Sequence, residues 1–141
     1  MRSSGSSRAG AVVLDTSAYS RLRANNPEVL DRVAAAETVY LPTIVIGELE
    51  AGFRLGGRAE ENRVALTEFL AEPFVAVLPV TEDVARTYGR IFSELRRAGT
   101  PVPVNDIWIA ATALEVGGHL LTFDADFERI RQLDATVLPP R

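Results

Sequence analysis

The chain has 141 residues, 47% of them hydrophobic and 24% charged, with a formal net charge of −4. That is the size and balance of one globular domain, able to bury roughly two-thirds of its unfolded surface in a single core. There is no cysteine, and all fifteen basic residues are arginine, which excludes disulfides, thiolate nucleophiles, structural zinc, a Walker-type phosphate lysine and Schiff-base catalysis.

No apolar run approaches the ~18 residues that cross a bilayer. Residues 1–10 are mostly Ser, Gly and Arg, with none of the hydrophobic stretch of a secretory signal. They are expected to be a flexible tail, with 11–141 a single domain of a cytoplasmic protein. The acidic balance argues against a nonspecific nucleic-acid coat protein. It is neutral about a nuclease, whose own acidic site would contribute much of that charge.

Taken in order, 11–14 is a continuously apolar run that ends at Asp15-Thr16-Ser17, the pattern of a buried strand feeding a helix. Pro27 opens a helix with Val29, Leu30, Val33 and Ala34 on its apolar face. A second strand over 38–41 stops at Pro42, Thr43 is placed to cap the next helix, and Gly56-Gly57 ends it. A helix over 60–71 uses Val64, Leu66, Phe69 and Leu70, and a third strand follows over 74–78.

Thr81 opens a long helix with Glu82 and Asp83 in its first turn, Arg96 and Arg97 in its last, and Gly99 beyond. Pro101 and Pro103 force the next segment to be extended. Asn105 is expected to cap a helix over 106–116, followed by a strand over 119–122, a short helix over 125–133 and a strand over 136–138. Strands alternating with helices predict an α/β fold with a mostly parallel sheet covered on both faces. Ligands of such sheets bind beyond the carboxyl ends of the strands.

Four acids stand at that edge or can face it. Asp15 and Asp124 each follow a strand directly, Asp106 opens a helix, and Glu48 lies early in one. Asp15 has a plain alternative as a helix cap, and Asp124 one as the start of a turn. Glu48 is harder to explain as structure, since its neighbours one turn away are Ile44 and Gly52. Glu50, about 200° round the same helix, should point elsewhere. Asp126 is either a first-turn residue complementing the helix dipole or a fifth, outer ligand. A buried carboxylate is costly without a cation or donor. Four of them, with no cysteine and no histidine among them, make an all-oxygen site that suits Mg²⁺ or Mn²⁺ and phosphodiester hydrolysis. The single histidine, His119, reads as packed in a strand rather than catalytic.

These residues resemble a PIN-domain ribonuclease, and specifically the VapC toxins of type II toxin–antitoxin systems. The resemblance is carried by Val13-Leu14-Asp15-Thr16-Ser17, by Glu48-Leu49-Glu50-Ala51-Gly52, by Asn105-Asp106-Ile107-Trp108 with the alanine-rich run after it, and by Leu121-Thr122-Phe123-Asp124-Ala125-Asp126-Phe127. It implies a three-layer α/β/α fold with a five-stranded sheet ordered 3-2-1-4-5. It implies that Asp15, Glu48, Asp106 and Asp124 are catalytic and bind Mg²⁺ or Mn²⁺, with Asp126 joining them. Thr16, Ser17, Asn105 and Thr122 would support the site through hydrogen bonds. The implied partners are an RNA substrate, a second copy in a homodimer, and a VapB-type antitoxin whose tail covers the acidic groove.

A receiver-like or dehalogenase-like phosphotransfer domain would also carry acids at strand ends, but each needs a lysine that is absent here. A housekeeping RNA-processing nuclease and a non-catalytic PIN-like domain binding RNA or a partner are the alternatives. Compactness favours the toxin, and the retention of all four acids favours catalysis. RNA would be held by arginine, with Arg21, Arg23, Arg54 and Arg58 as candidates. Tyr19, Leu22 and Leu55 are candidates for apolar surface that receives an antitoxin helix.

Overall fold

The computed structural model describes residues 10–140. Residues 1–9 of the expected tail lie outside them. Gly10, its last residue, has a carbonyl that accepts hydrogen bonds from the Glu37 and Thr38 N–H groups at 3.1 and 3.0 Å.

Five strands form one parallel sheet: β1 (Ala11–Leu14), β2 (Thr38–Pro42), β3 (Val75–Leu78), β4 (His119–Thr122) and β5 (Ala135–Val137), in the order β3-β2-β1-β4-β5. The central strand pairs Val12 with Val39 on one side and with His119 on the other. The expected order 3-2-1-4-5 is therefore the observed one. Six helices cover it: α1 (Thr16–Arg23), α2 (Pro27–Ala35), α3 (Thr43–Leu55), α4 (Ala59–Leu70), α5 (Glu82–Ala98) and α6 (Val104–Val116). Right-handed crossovers put α1 to α4 on one face and α5 and α6 on the other, because the chain reverses its direction across the sheet after β3. Val13, Leu14, Leu41, Leu120 and Leu121 are fully buried between those layers. This double burial is why the strands read as unbroken apolar runs rather than alternating ones.

Several local expectations need correction. Thr43 does not cap α3; the cap is Pro42, with no side-chain hydrogen bond. β2 runs straight into the helix, so Pro42 is still paired with Leu78 when the helix begins. Asn105 does not cap α6 either. The helix starts at Val104 after Pro103, and the Asn105 amide is used across the site instead. The helix expected over 125–133 is a single 3-10 turn, Ala125–Arg129. β3 begins at Val75, leaving Phe74 exposed before it, and Val64 on α4 is 48% exposed rather than part of an apolar face. Tyr19 is buried, not surface. Its ring meets Phe69 edge-on at 5.4 Å, joining α1 to α4. Leu55, by contrast, is almost fully exposed at the end of α3.

His119 sits in β4, with Nδ1 3.0 Å from Asp134 Oδ2 and Nε2 2.7 Å from Thr136 Oγ1. It ties the edge strand to its neighbour, in keeping with a packed role. Glycine is required at two helix ends, Gly99 (φ 71°) and Gly117 (φ 67°), where the chain turns left-handed. Gly118 is needed for a different reason. A Cβ there would stand 2.7 Å from Val13 Cγ2, so the entry to β4 packs directly on the central strand.

Candidate active site

The carboxyl edge of the sheet opens into a cavity of about 390 Å³ lined by Asp15, Thr16, Ser17, Ser20, Glu48, Asp106, Ile109 and Asp124. All four acids singled out in the sequence line it. Asp15 arrives from the end of β1, Asp124 from just beyond β4, Glu48 from the second turn of α3 and Asp106 from the first turn of α6.

Asp15 is buried and saturated with donors. Its Oδ1 accepts from the Ser17 hydroxyl and the Ala18 N–H, both at 2.8 Å, and its Oδ2 accepts from the Thr122 hydroxyl. It is thus a helix cap as well as a site residue, so the plain reading and the functional one hold together. Burial pushes its carboxyl above the usual range. The Thr122, Ala18 and Ser17 donors pull it back, and the Asp124 charge adds to the rise.

Thr122 is a hinge of the site. Besides donating to Asp15, its oxygen accepts from the Asp124 N–H at 3.0 Å. The Ser17 oxygen likewise accepts from the Phe123 N–H at 3.0 Å, so α1 and the segment after β4 are locked together. Glu48 is held at both oxygens: the Thr16 hydroxyl donates to Oε1, and Asn105 Nδ2 donates to Oε2 at 3.0 Å. Four hydroxyl or amide side chains expected to support the site therefore all reach an acid of it. Ser20 and Ile109 also line the cavity and were not singled out. They lie one helical turn beyond Thr16 and one residue short of such a turn beyond Asp106, which is the signal that would have found them.

Asp106, Asp124 and Asp126 each offer a carboxylate oxygen, and these oxygens lie within 4.8 Å of one another. Asp126 therefore stands with the site, its N–H bonded to Asp124 Oδ1 at 2.9 Å. Burial raises Asp106 to about 7, and the charges of Asp124, Glu48, Asp15 and Asp126 push in the same direction. An oxygen-only donor set this close, with one carboxyl raised first by burial and then by its acidic neighbours, fits a hard divalent cation. No nitrogen or sulfur ligand stands among these residues to favour zinc.

Glu50 points away, as its helical position required. Arg63 Nη2 lies 2.6 Å from its Oε2 and Arg54 Nε 3.0 Å, and the Arg63 hydrogen bond is the largest influence holding its carboxyl below the usual range. Two of the four arginines expected to hold RNA are thereby engaged elsewhere: Arg54 with Glu50, and Arg58 with Glu61 at 2.9 Å. Arg21 lies over the Phe123 ring at 4.4 Å. Arg23 ends α1 on the exposed surface.

The family model of the PIN domain matches residues 12–133 of this chain. Ribonuclease VapC5 of Mycobacterium tuberculosis is 31% identical over 119 residues, covering 83% of this chain and 85% of that protein. The plasmid stability protein StbB of Pseudomonas syringae pv. tomato is 36% identical over 121 residues, covering 80% and 87%. Among solved structures, the DNA-bound VapBC of Salmonella typhimurium superposes with a TM-score of 0.80 at 26% identity, covering 91% of this chain and 98% of that one. The chain belongs to the PIN-domain family and, within it, to the VapC group.

Proposed function

We propose that this protein is a divalent-metal-dependent endoribonuclease, the toxin of a toxin–antitoxin pair, and that Asp15, Glu48, Asp106, Asp124 and Asp126 form its metal centre. The observation that carries the reading is the convergence of these five acids on one sheet edge in a chain of the VapC group. The cation is Mg²⁺ or Mn²⁺, on the strength of the all-oxygen donor set. When bound, it neutralises charge on the scissile phosphate and lowers the pKa of a water beside it.

The protein's own residues prepare that chemistry. Asp15 is fixed by three donors and Glu48 by two, so both carboxylates keep their orientation before anything binds. Asp106, lifted to about 7, retains a proton on its carboxyl for part of the time at neutral pH and gives it up as a cation enters. Arg21, over the Phe123 ring that precedes Asp124, is the arginine we assign to the RNA backbone. RNA as substrate places the protein in the cytoplasm. Among the described residues no helix is long and apolar enough to cross a membrane. A VapB-type antitoxin is the partner that restrains the activity, and a homodimer is the expected assembly.

The test is RNA cleavage by the purified protein. EDTA should abolish it and Mn²⁺ restore it. Asp15→Asn, Glu48→Gln, Asp106→Asn and Asp124→Asn should each lose about a hundredfold or more, above the usual loss for groups that only orient metal ligands. Full cleavage in excess chelator would refute the metal centre, and absence of cleavage by the intact protein would refute the nuclease.

A further inference from the structure

Arg129 brings a positive charge to the border of the acid cluster. Arg129, the last residue of the 3-10 turn, places Nη1 2.8 Å from the Pro101 carbonyl oxygen and 3.6 Å from Asp126 Oδ1. Pro101 belongs to the extended segment that leads into α6 and so to Asp106, whereas Asp124 and Asp126 belong to the turn itself. A single guanidinium therefore joins the two segments that carry the three clustered carboxylates. Arg129 precedes Ile130, which is buried and fixes the end of the turn, so the side chain starts from an anchored position.

We propose that Arg129 is a positioning residue of the metal centre, an internal counter-ion that holds Asp126 in the metal-free protein and yields it when the cation binds. This rests on the reading that the acid cluster takes a divalent cation. The physical argument is one of competition. Three carboxylates within 4.8 Å repel one another, and a guanidinium 3.6 Å from Asp126 relieves part of that repulsion. An entering cation relieves all of it, and then faces the same guanidinium as a like charge. The 2.8 Å bond to Pro101 gives Arg129 somewhere to remain after Asp126 turns inward, so the exchange needs no movement of the backbone. The side chain is about half exposed, which screens the effect and keeps it modest.

The experiment uses Arg129→Gln, which keeps an N–H donor for the Pro101 carbonyl and removes the charge. Mn²⁺ titrated calorimetrically into the metal-stripped protein should bind about threefold tighter to the variant than to the parent, given a screened like charge beside the site. The melting temperature in EDTA should fall, and the rise on adding Mn²⁺ should be larger than in the parent. A residue that merely tied the two segments would lower the melting temperature equally with and without Mn²⁺ and leave affinity unchanged or weaker. Either result overturns the proposal. In an Asp126→Asn background the gain from Arg129→Gln should disappear. Its persistence there would show a diffuse charge effect rather than competition for Asp126, and would also overturn it. If the parent protein took up no Mn²⁺ at all, the metal reading itself would fail, an outcome distinguishable from equal binding by parent and variant.

Discussion

The two sides of the acidic cavity are built on opposite principles. Around Asp15 and Glu48 every carboxylate oxygen has a donor, supplied by Thr16, Ser17, Ala18, Asn105 and Thr122. Around Asp106 the neighbours are other acids, and its carboxyl is driven up to about 7. One side is finished by folding. The other leaves a half-buried carboxyl among like charges, raised first by its burial and then by those charges. A site arranged this way holds the positions of Asp15 and Glu48 while empty, and leaves the clustered carboxylates as the part that could take a metal ion.

The largest effect on stability should come from Thr122→Val. Thr122 is fully buried, and valine would strip Asp15 of one donor and the Asp124 N–H of its acceptor together. Cleavage should fall about 10- to 100-fold, as for groups that orient metal ligands. Stability should fall by about 1–3 kcal/mol for the orphaned buried partners. RNA cleavage beside urea unfolding checks both, and a variant of full activity would show that Asp15 does not depend on its donors.

Next comes Asp106→Asn in the metal-free protein. The folded-state value of about 7 lies above the ordinary 3.8, so the native state binds the proton more tightly than the unfolded chain. Stability from this group is present at low pH and lost as pH rises through that interval, levelling off above about 7. The parent in EDTA should therefore be less stable at pH 8 than at pH 5 by about 1–2 kcal/mol from this residue, after discount for solvent screening. Asp106→Asn should flatten that slope while abolishing cleavage. A variant with the parent's slope would place the raised carboxyl elsewhere.

The smallest effect should be that of Glu50→Gln. It breaks the contacts of Glu50 with Arg63 and Arg54 but touches nothing in the cavity. Cleavage should stay within about twofold of the parent, since exposed ion pairs contribute little. A loss comparable to that of Glu48→Gln would mean that the face of α3 has been misassigned.

Much of this was legible in the chain. Leu14-Asp15 and Phe123-Asp124 follow apolar runs, and a parallel sheet brings such run ends to one edge whatever the details of the helices. Glu48 betrayed itself by sitting among apolar neighbours. What failed was local: Thr43 and Asn105 have good capping chemistry, yet Pro42 and Pro103 took those positions. Strand pairing at Pro42 and the reach of Asn105 to Glu48 are tertiary facts that a short window does not contain. The same holds for Tyr19, whose buried contact with Phe69 spans 50 positions of chain, while the ion pairs of Arg54 with Glu50 and of Arg58 with Glu61 lie within one helical turn.

The central strand is synthesised before both of the strands that pair with it. Val12 waits for His119, and Asp15 waits for a hydroxyl 107 residues downstream. Contacts so distant along the chain close slowly, since the loop between them must be ordered before they contribute. During synthesis the cavity therefore cannot be complete before Thr122 and Asp124 have been made, and a chain released before them lacks both. Until those two residues have been made, the site lacks a donor of Asp15 and one of its acids.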